Sequence, residues 1–289
     1  MGLKRIVCAT DFSTDAARAV RRATLLAREH AAGLQLLHVV SRPRLEALRQ
    51  WVRRPVDLPE RLVEAAREEL QQAAGEARVV IGDVVTSIAK AAAGADLLVL
   101  GARGVNPLKD VILGTTAERL LGACRGSILV VRTPPQRGYR RVLAAVDLQP
   151  GSEAALRAAL LLAEDATARA VHVYDVPFEG MLQRAGVSRE EVREHRLRAH
   201  RVATHKIAAL SRAACGDAHR FVAVTQHGPA AAGIVHSQQK TGADLLVLLK
   251  RVRSPAEKLV LGSVTRHVLA DVRCDVLLVP EAKRRARAS

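Results

Sequence analysis

The chain repeats an ordered set of short motifs, and this duplication restricts its fold more than any other feature of the sequence. Residues 5–11 (RIVCATD) recur as residues 141–147 (RVLAAVD), and residues 94–100 (GADLLVL) recur with the same letters as residues 242–248. Each repeat is about the size of a domain, so the pattern indicates a duplicated domain rather than a solenoid of short units.

A boundary between the two repeats is marked by two prolines and a glycine within the polar residues 133–138. We expect a domain over residues 1–133, a linker over residues 134–139, a second domain over residues 140–282 and a basic tail over residues 283–289. Because a linker this short does not let two domains drift apart, we expect the domains to pack on each other.

Strands and helices alternate within each repeat. Short apolar runs of the kind found in buried parallel strands occur at residues 6–10, 34–40, 79–81, 97–100 and 128–131, and again at 142–146, 170–174, 221–224, 245–249 and 276–279. Amphipathic helical segments separate most of these runs. The pattern predicts an α/β fold with two tandem, doubly wound, parallel five-stranded sheets.

Composition excludes several classes of protein. No apolar run approaches the roughly 18 residues of a membrane span, so we expect no membrane segment and a cytoplasmic location. None of the four cysteines stand in CxxC spacing, which argues against a disulfide framework or a structural zinc site. The net charge of +16 favours attraction to polyanions, but aromatic residues make up only 2% of the chain, too few for a typical binder of single-stranded nucleic acid.

A spaced set of glycines follows the fourth predicted strand. Gly101 and Gly104 come directly after residues 97–100, and Gly114 follows after nine further residues at the start of a predicted helix. Glycine lets the backbone approach a ligand closely, and the free N–H groups of a helix N-terminus suit a phosphate. The pattern therefore predicts a phosphate-binding loop.

Several side chains could complete this site. Thr115 and Thr116 would add hydroxyl donors, while Arg103 and Lys109 would add positive charge. Asp11 ends the first strand, and ligands of open α/β sheets bind at the carboxyl ends of strands, where the winding reverses. We therefore expect Asp11 and the glycine loop to face one crevice, with Asp11 accepting hydrogen bonds from a ribose or a base.

The glycine spacing, combined with a first strand that ends in residues 9–13 (ATDFS), resembles the universal stress protein family in its tandem bacterial form. The resemblance implies the strand order 3-2-1-4-5 in each repeat. It also implies that the last strands of the repeats meet, as in an intramolecular pseudo-dimer, and a homodimer could form as well. In ATP-binding members the glycines hold the phosphates, the aspartate contacts the nucleoside, and backbone near the end of the second strand lies against adenine. The implied site for ATP, alone or with Mg, consists of Thr10, Asp11, Val39, Val40, Gly101, Arg103, Gly104, Gly114, Thr115 and Thr116.

The second repeat departs from the glycine pattern. Leu249 and Val252 replace the first two glycines, and side chains of residues 250–253 would fill the space of the phosphates. Gly262 and Ser263 still open a helix. We therefore predict that the second repeat does not bind ATP.

Three readings of function remain open. The first is a stress-response regulator that binds ATP and hydrolyses it slowly or not at all, because no general base stands beside the loop and the GxxxxGK[ST] pattern is absent. The second is a nucleotide-independent module whose basic surface binds nucleic acid or an acidic protein. The third is an enzyme acting in the second crevice. His172, Asp175, His227 and His236 could converge there, although hydrogen-bonded or solvent-facing histidines are commoner than metal ligands, and we predict no metal.

Overall fold

The computed structural model describes residues 2–49, 58–71, 75–104, 113–175, 186–250 and 262–281. The strands are β1 (Arg5–Thr10), β2 (Gly33–Ser41), β3 (Glu76–Gly82), β4 (Leu97–Gly101), β5 (Ser127–Val131), β6 (Arg141–Ala145), β7 (Thr167–Tyr174), β8 (Val222–His227), β9 (Leu245–Lys250) and β10 (Asp275–Pro280). The helices are α1 (Thr14–Glu29), α2 (Arg42–Arg49), α3 (Leu58–Gln71), α4 (Val84–Ala92), α5 (Thr115–Ala123), α6 (Glu153–Leu162), α7 (Arg189–Cys215), α8 (Ala230–Thr241) and α9 (Ser263–Asp271).

The chain divides into two compact units. The first contains the described residues up to Gly138 together with Asp275–Leu278, and the second contains the remaining described residues from Tyr139 onward. The first half of β10 therefore groups with the first unit, although it lies late in the chain. The basic tail at residues 283–289 lies outside the described residues.

The first unit is built on a sheet whose parallel strands follow the order β3-β2-β1-β4-β5. This order confirms the expected 3-2-1-4-5 arrangement. One further strand joins it, because β10 pairs antiparallel with β5, placing Val276 opposite Val130 and Leu278 opposite Ile128. The last strands of the two repeats thus meet, as the resemblance implied.

The second unit contains the parallel strands β8-β7-β6-β9 in that order. The α/β class and the strand order are as predicted, but two separate five-stranded sheets are not found. The reason lies in β10: its apolar run was predicted as the fifth strand of the second sheet alone, whereas its residues Asp275–Leu278 also extend the sheet of the first unit.

Aliphatic side chains fill the interior, as a chain with so few aromatic residues requires. Ile6, Leu36, Leu98 and Ile128 are among the fully buried side chains of the first unit. Helix α1 packs on this sheet through small residues, since its buried positions are mostly alanines. Small side chains allow a close approach of helix and strands, and this closeness shapes the site at the end of β1.

One charged pair is buried in the first unit. Arg22 of α1 places its Nε 3.2 Å from Oδ2 of Asp275. The other oxygen of Asp275 accepts hydrogen bonds from the backbone N–H groups of Arg132 and Thr133 and from the Thr133 hydroxyl. The first residue of β10 is therefore fixed both to α1 and to the backbone that follows β5.

Candidate functional site

The chain makes a tight turn where β1 ends, and this turn fixes the position of Asp11. Phe12 has a positive φ of 63°, a conformation that costs energy for a bulky residue and is held by its surroundings. Its N–H donates to Oγ1 of Thr10 at 3.1 Å, and the N–H of Ser13 donates to Oδ1 of Asp11 at 3.1 Å. Ser13 then caps α1 by accepting a hydrogen bond from Ala16.

The glycine loop lies directly against this turn. A Cβ on Gly101 would stand 2.7 Å from the backbone carbonyl carbon of Asp15 and 2.8 Å from the N of Ala16. Gly101 is therefore needed for the close approach of α1, a reason that sequence reasoning did not supply. A Cβ on Gly104 would stand 2.7 Å from Oδ2 of Asp11, so the loop and this carboxylate are neighbours.

Gly114 brings the second half of the loop back to the first. Its N–H donates to the carbonyl of Ala102 at 2.8 Å, and a Cβ placed on it would be 3.5 Å from Cα of Arg103 and 3.6 Å from N of Gly104. Gly114 is the N-cap of α5 and makes no side-chain cap bond. The N-cap residue itself therefore offers no side-chain acceptor to the first N–H groups of α5, and such N–H groups suit an anion.

The remaining loop residues surround this point. Thr115 and Thr116 are exposed in the first turn of α5. The carbonyl of Arg103 accepts a hydrogen bond from the Ser13 hydroxyl at 3.4 Å. Nε of the Arg103 side chain lies 3.2 Å from Oδ2 of Asp15. Lys109 lies outside the described residues. The structure thus brings most of the predicted phosphate-loop residues together around the N-termini of α1 and α5.

The end of β2 contacts the turn that follows β1. Val39 is buried and Val40 is half-buried. Nδ1 of His38 lies 2.9 Å from the carbonyl of Thr10, and the rings of His38 and Phe12 lie with centroids 4.6 Å apart. Sequence reasoning missed His38 and Phe12.

The repeat itself carried the signal for the missed histidine. His172 occupies the matching place in the second unit, where its Nδ1 lies 2.9 Å from the carbonyl of Val146. A histidine at the same place in both copies, bonded to the end of the neighbouring strand in both, links strands one and two in each unit. Its first role is therefore structural.

The corresponding place in the second unit is arranged differently. Oδ1 of Asp147 accepts hydrogen bonds from the N–H of Gln149 at 3.1 Å and from the hydroxyl of Ser152 at 2.7 Å. Leu249 is half-buried, and the residue after it, Lys250, is buried. The other replacements, Arg251, Val252 and Arg253, lie outside the described residues.

The start of α9 and the histidines complete the description of this unit. A Cβ on Gly262 would have no atom within 4 Å among the described residues. No group of three His, Cys, Asp or Glu side chains that could hold a metal ion occurs in the described part of the chain. In the same residues, no helix combines the length and the apolar character needed to cross a membrane.

Comparison with known proteins finds the same family in both repeats. The model of the universal stress protein family matches residues 2–132 and again residues 138–280. A universal stress protein of Mycolicibacterium smegmatis is 29% identical over 171 residues, which are 52% of this chain and 56% of that protein. The chain therefore matches little more than half the length of that relative.

Solved structures with a similar fold cover nearly the whole chain. A universal stress protein from Archaeoglobus fulgidus is 16% identical with a TM-score of 0.67, over 96% of this chain and 98% of that one. A functionally unknown protein from Pseudomonas aeruginosa is 21% identical with a TM-score of 0.61, over 96% and 93% of the two chains. At these identities the likeness shows a shared fold.

Proposed function

Since the chain belongs to the universal stress protein family, we propose that its first unit binds ATP as a regulatory ligand. One observation supports this most strongly: Asp11, Gly104 and Gly114 lie together at the N-terminus of α5, whose N-cap is a glycine. The helix terminus and the loop N–H groups suit the phosphates, alone or with Mg. Thr115, Thr116 and Arg103 surround the same point.

The nucleoside would lie toward β1 and β2. Asp11 stands beside Gly104, at the carboxyl end of β1, where it accepts hydrogen bonds from a ribose or a base. Thr10 ends the same strand, and the backbone at Val39 and Val40 lies near the end of the neighbouring strand. These positions suit an adenosine that extends from the loop across the ends of β1 and β2.

The second unit is not expected to hold ATP. Strand β9, the neighbour of β6, ends in Leu249 and the buried Lys250 instead of a glycine turn. A branched side chain and a lysine at this place leave less free backbone for phosphate oxygens. We expect the nucleotide stoichiometry to be one per chain.

The proposed role is that of a cytoplasmic stress-response regulator with slow hydrolysis or none. We expect Asp11 to contact the nucleoside, and the sequence offers no obvious general base beside the glycine loop. Bound nucleotide would stabilise the arrangement in which Gly104 and Gly114 lie together and so alter the surface offered to a protein partner. A ligand shifts such an equilibrium only as far as it prefers one state.

Calorimetry on nucleotide-stripped full-length protein tests the proposal. We expect one ATP per chain, and no heat of binding at millimolar ATP would refute it. Gly114 has φ −63° and ψ 147°, so Gly114→Val keeps an ordinary backbone conformation while it fills the loop. We expect this variant to lose at least tenfold in affinity, or about 1.4 kcal/mol. Gly262→Val, at the matching place of the second unit, is the control and should bind like the wild type.

A second candidate function rests on the surface of α7. Between Glu194 and Asp217 the sequence has no acidic residue, and the exposed Arg201, Lys206 and Arg212 form no ion pair with any described residue. A helix segment with exposed cations and no acidic residue attracts a polyanion such as nucleic acid.

Salt dependence separates this candidate from the first. If α7 binds nucleic acid, the log of the association constant falls steeply with the log of salt concentration. Replacing Arg201, Lys206 and Arg212 by glutamine would then reduce that slope by about 3, while Gly114→Val would leave it unchanged. Binding that is unaffected by the triple change argues against this role for α7.

A further inference from the structure

We propose that Asp15 is a positioning residue of the nucleotide site, which fixes the Arg103 guanidinium so that its terminal nitrogens are available to the phosphates. This inference rests on the proposed ATP binding and adds a residue that neither the glycine pattern nor the family resemblance pointed to. Asp15 lies in the first turn of α1 and not in the loop itself.

Asp15 is buried and binds two arginines at once. Its Oδ1 lies 2.7 Å from Nη1 of Arg18, and its Oδ2 lies 3.2 Å from Nε of Arg103. An acidic residue in the first turn of a helix usually faces solvent and serves the helix dipole. The side chain of Asp15 is only 10% exposed and joins α1 to the loop after β4, so the dipole alone does not account for its placement.

The carboxylate itself is held rigidly. Arg18 donates from Nη1 to Asp15 and also to the carbonyl of Arg132 at 3.5 Å. The backbone of Asp15 packs against Gly101, where a Cβ would not fit. Both the side chain and the backbone of Asp15 are therefore fixed before any ligand binds.

Asp15 binds Arg103 in a way that leaves the terminal nitrogens of the guanidinium accessible. Asp15 engages Nε, on the inner edge of the guanidinium, and the Arg103 side chain remains 48% exposed. The two Nη groups of an arginine form the outer pair of donors that suits phosphate oxygens. The three side chains together carry a net positive charge next to the N-terminus of α5. A guanidinium already fixed in place loses less conformational entropy when it binds an anion.

The second unit provides an internal comparison. Counted from the N-cap residues Ser13 and Ser152, the place of Asp15 is occupied by Ala154. The place of Arg18 is occupied by Arg157, which pairs with Glu153 of its own helix instead. A carboxylate at this place, joined to the loop after the fourth strand, thus occurs in the unit that has the glycine loop, whereas Ala154 cannot form such a pair in the second unit.

Ligands with and without phosphates test this inference. In the full chain, Asp15→Asn preserves size but removes the charge that holds Arg103. We expect its affinity for ATP to fall about tenfold, while its affinity for adenosine stays at the wild-type value. A purely structural role of Asp15 would weaken both ligands alike, and that outcome, or an unchanged affinity for ATP, would overturn the proposal.

Variants of Arg103 test the same interaction from its other side. Arg103→Gln should cause a similar selective loss, and adding Asp15→Asn to it should cause no further loss, because both changes remove one interaction. Arg103→Lys keeps the charge but has no Nε for Asp15 to hold. Wild-type ATP affinity in Arg103→Lys would refute positioning even if Asp15→Asn failed to fold. Glu153→Gln, which removes the ion pair of the second unit, is the matched control and should leave ATP affinity unchanged.

The two proposals fail in different ways. Wild-type protein that binds neither ATP nor adenosine refutes the proposed function. Wild-type protein that binds ATP, with Asp15→Asn and Arg103→Lys both equal to it, refutes only the role of Asp15.

Discussion

Arg22 and Asp275 form a buried ion pair between residues 253 positions apart in the sequence. Their side chains are 6% and 0% exposed, and Nε lies 3.2 Å from Oδ2. Two charges removed from water are tolerated only when hydrogen bonds satisfy the rest of their polar atoms. Asp275 meets this condition, because the backbone of Arg132 and Thr133 and the hydroxyl of Thr133 donate to Oδ1.

Removing the charge of Asp275 should destabilise the protein strongly. Asp275→Asn leaves the buried Arg22 cation facing an amide, and breaking a buried pair costs about 3–5 kcal/mol. Urea unfolding followed by circular dichroism measures this loss. Asp271→Asn changes an exposed carboxylate at the end of α9 and should shift the free energy of unfolding by less than about 0.5 kcal/mol. Equal effects of the two changes would contradict the structural assignment.

A methyl group should destabilise the protein at Gly101 but have little effect at Gly262. Gly101→Ala forces a Cβ to within 2.8 Å of the α1 backbone, and such overpacking costs about 1–3 kcal/mol. Gly262→Ala adds a Cβ with no described atom within 4 Å at an ordinary φ of −58°, so we expect little change. Thermal unfolding of the two variants in parallel provides the measurement. A stable Gly101→Ala protein would mean that α1 lies farther from β4 than described.

The capping box of α7 should give a defined pH dependence. The N–H and hydroxyl of Ser188 donate to Glu191 and hold the pKa of its carboxyl below the ordinary value of 4.5. A lowered folded pKa adds stability that is complete above the unfolded pKa and disappears as pH falls through the folded one. The unfolding free energies of wild type and Glu191→Gln should therefore differ at pH 7 and approach each other as the pH falls below 4.5 and through the lowered pKa of Glu191. A difference that stays constant to pH 3 would contradict the capping interaction.

The four cysteines should differ in reactivity. Burial raises the pKa of the Cys8 thiol to about 12, so almost no thiolate is present at pH 8, and Cys124 and Cys274 are buried as well. Cys215 is exposed at the end of α7. We expect iodoacetamide to modify Cys215 first, with the other three protected until the protein unfolds. Peptide mass spectrometry resolves the order, and early labelling of Cys8 would contradict the packing of β1.

Much of the fold could be predicted because local patterns determine it. Apolar runs gave the ten strands to within a few residues, and the repeat showed that one arrangement occurs twice. The pairing of β10 with β5 in an enlarged sheet was not predictable in the same way. An apolar strand indicates burial but does not identify the neighbour on each side.

In the candidate site too, some residues could be predicted from local sequence and others depend on tertiary packing. Gly101, Gly104 and Gly114 could be selected because glycine spacing is a property of the sequence. The partners of Asp15 could not, since Arg103 is 88 residues away and meets it only when α1 packs on Gly101. Likewise, the sequence shows Asp275 only as a polar residue at the start of a strand, and its ion pair with Arg22 is visible only in the fold.

The pairing of β5 has a practical consequence for anyone who cuts this chain between its repeats. A fragment ending at Gly138 would lose β10, the strand that pairs with β5. In the intact protein the side chains of Ile128–Val131 in β5 are fully buried. The fragment would then present an unprotected apolar strand edge, a common starting point for aggregation or for association of identical fragments. Because both repeats are in one polypeptide, β10 covers that edge of β5 even if the second repeat binds no ligand.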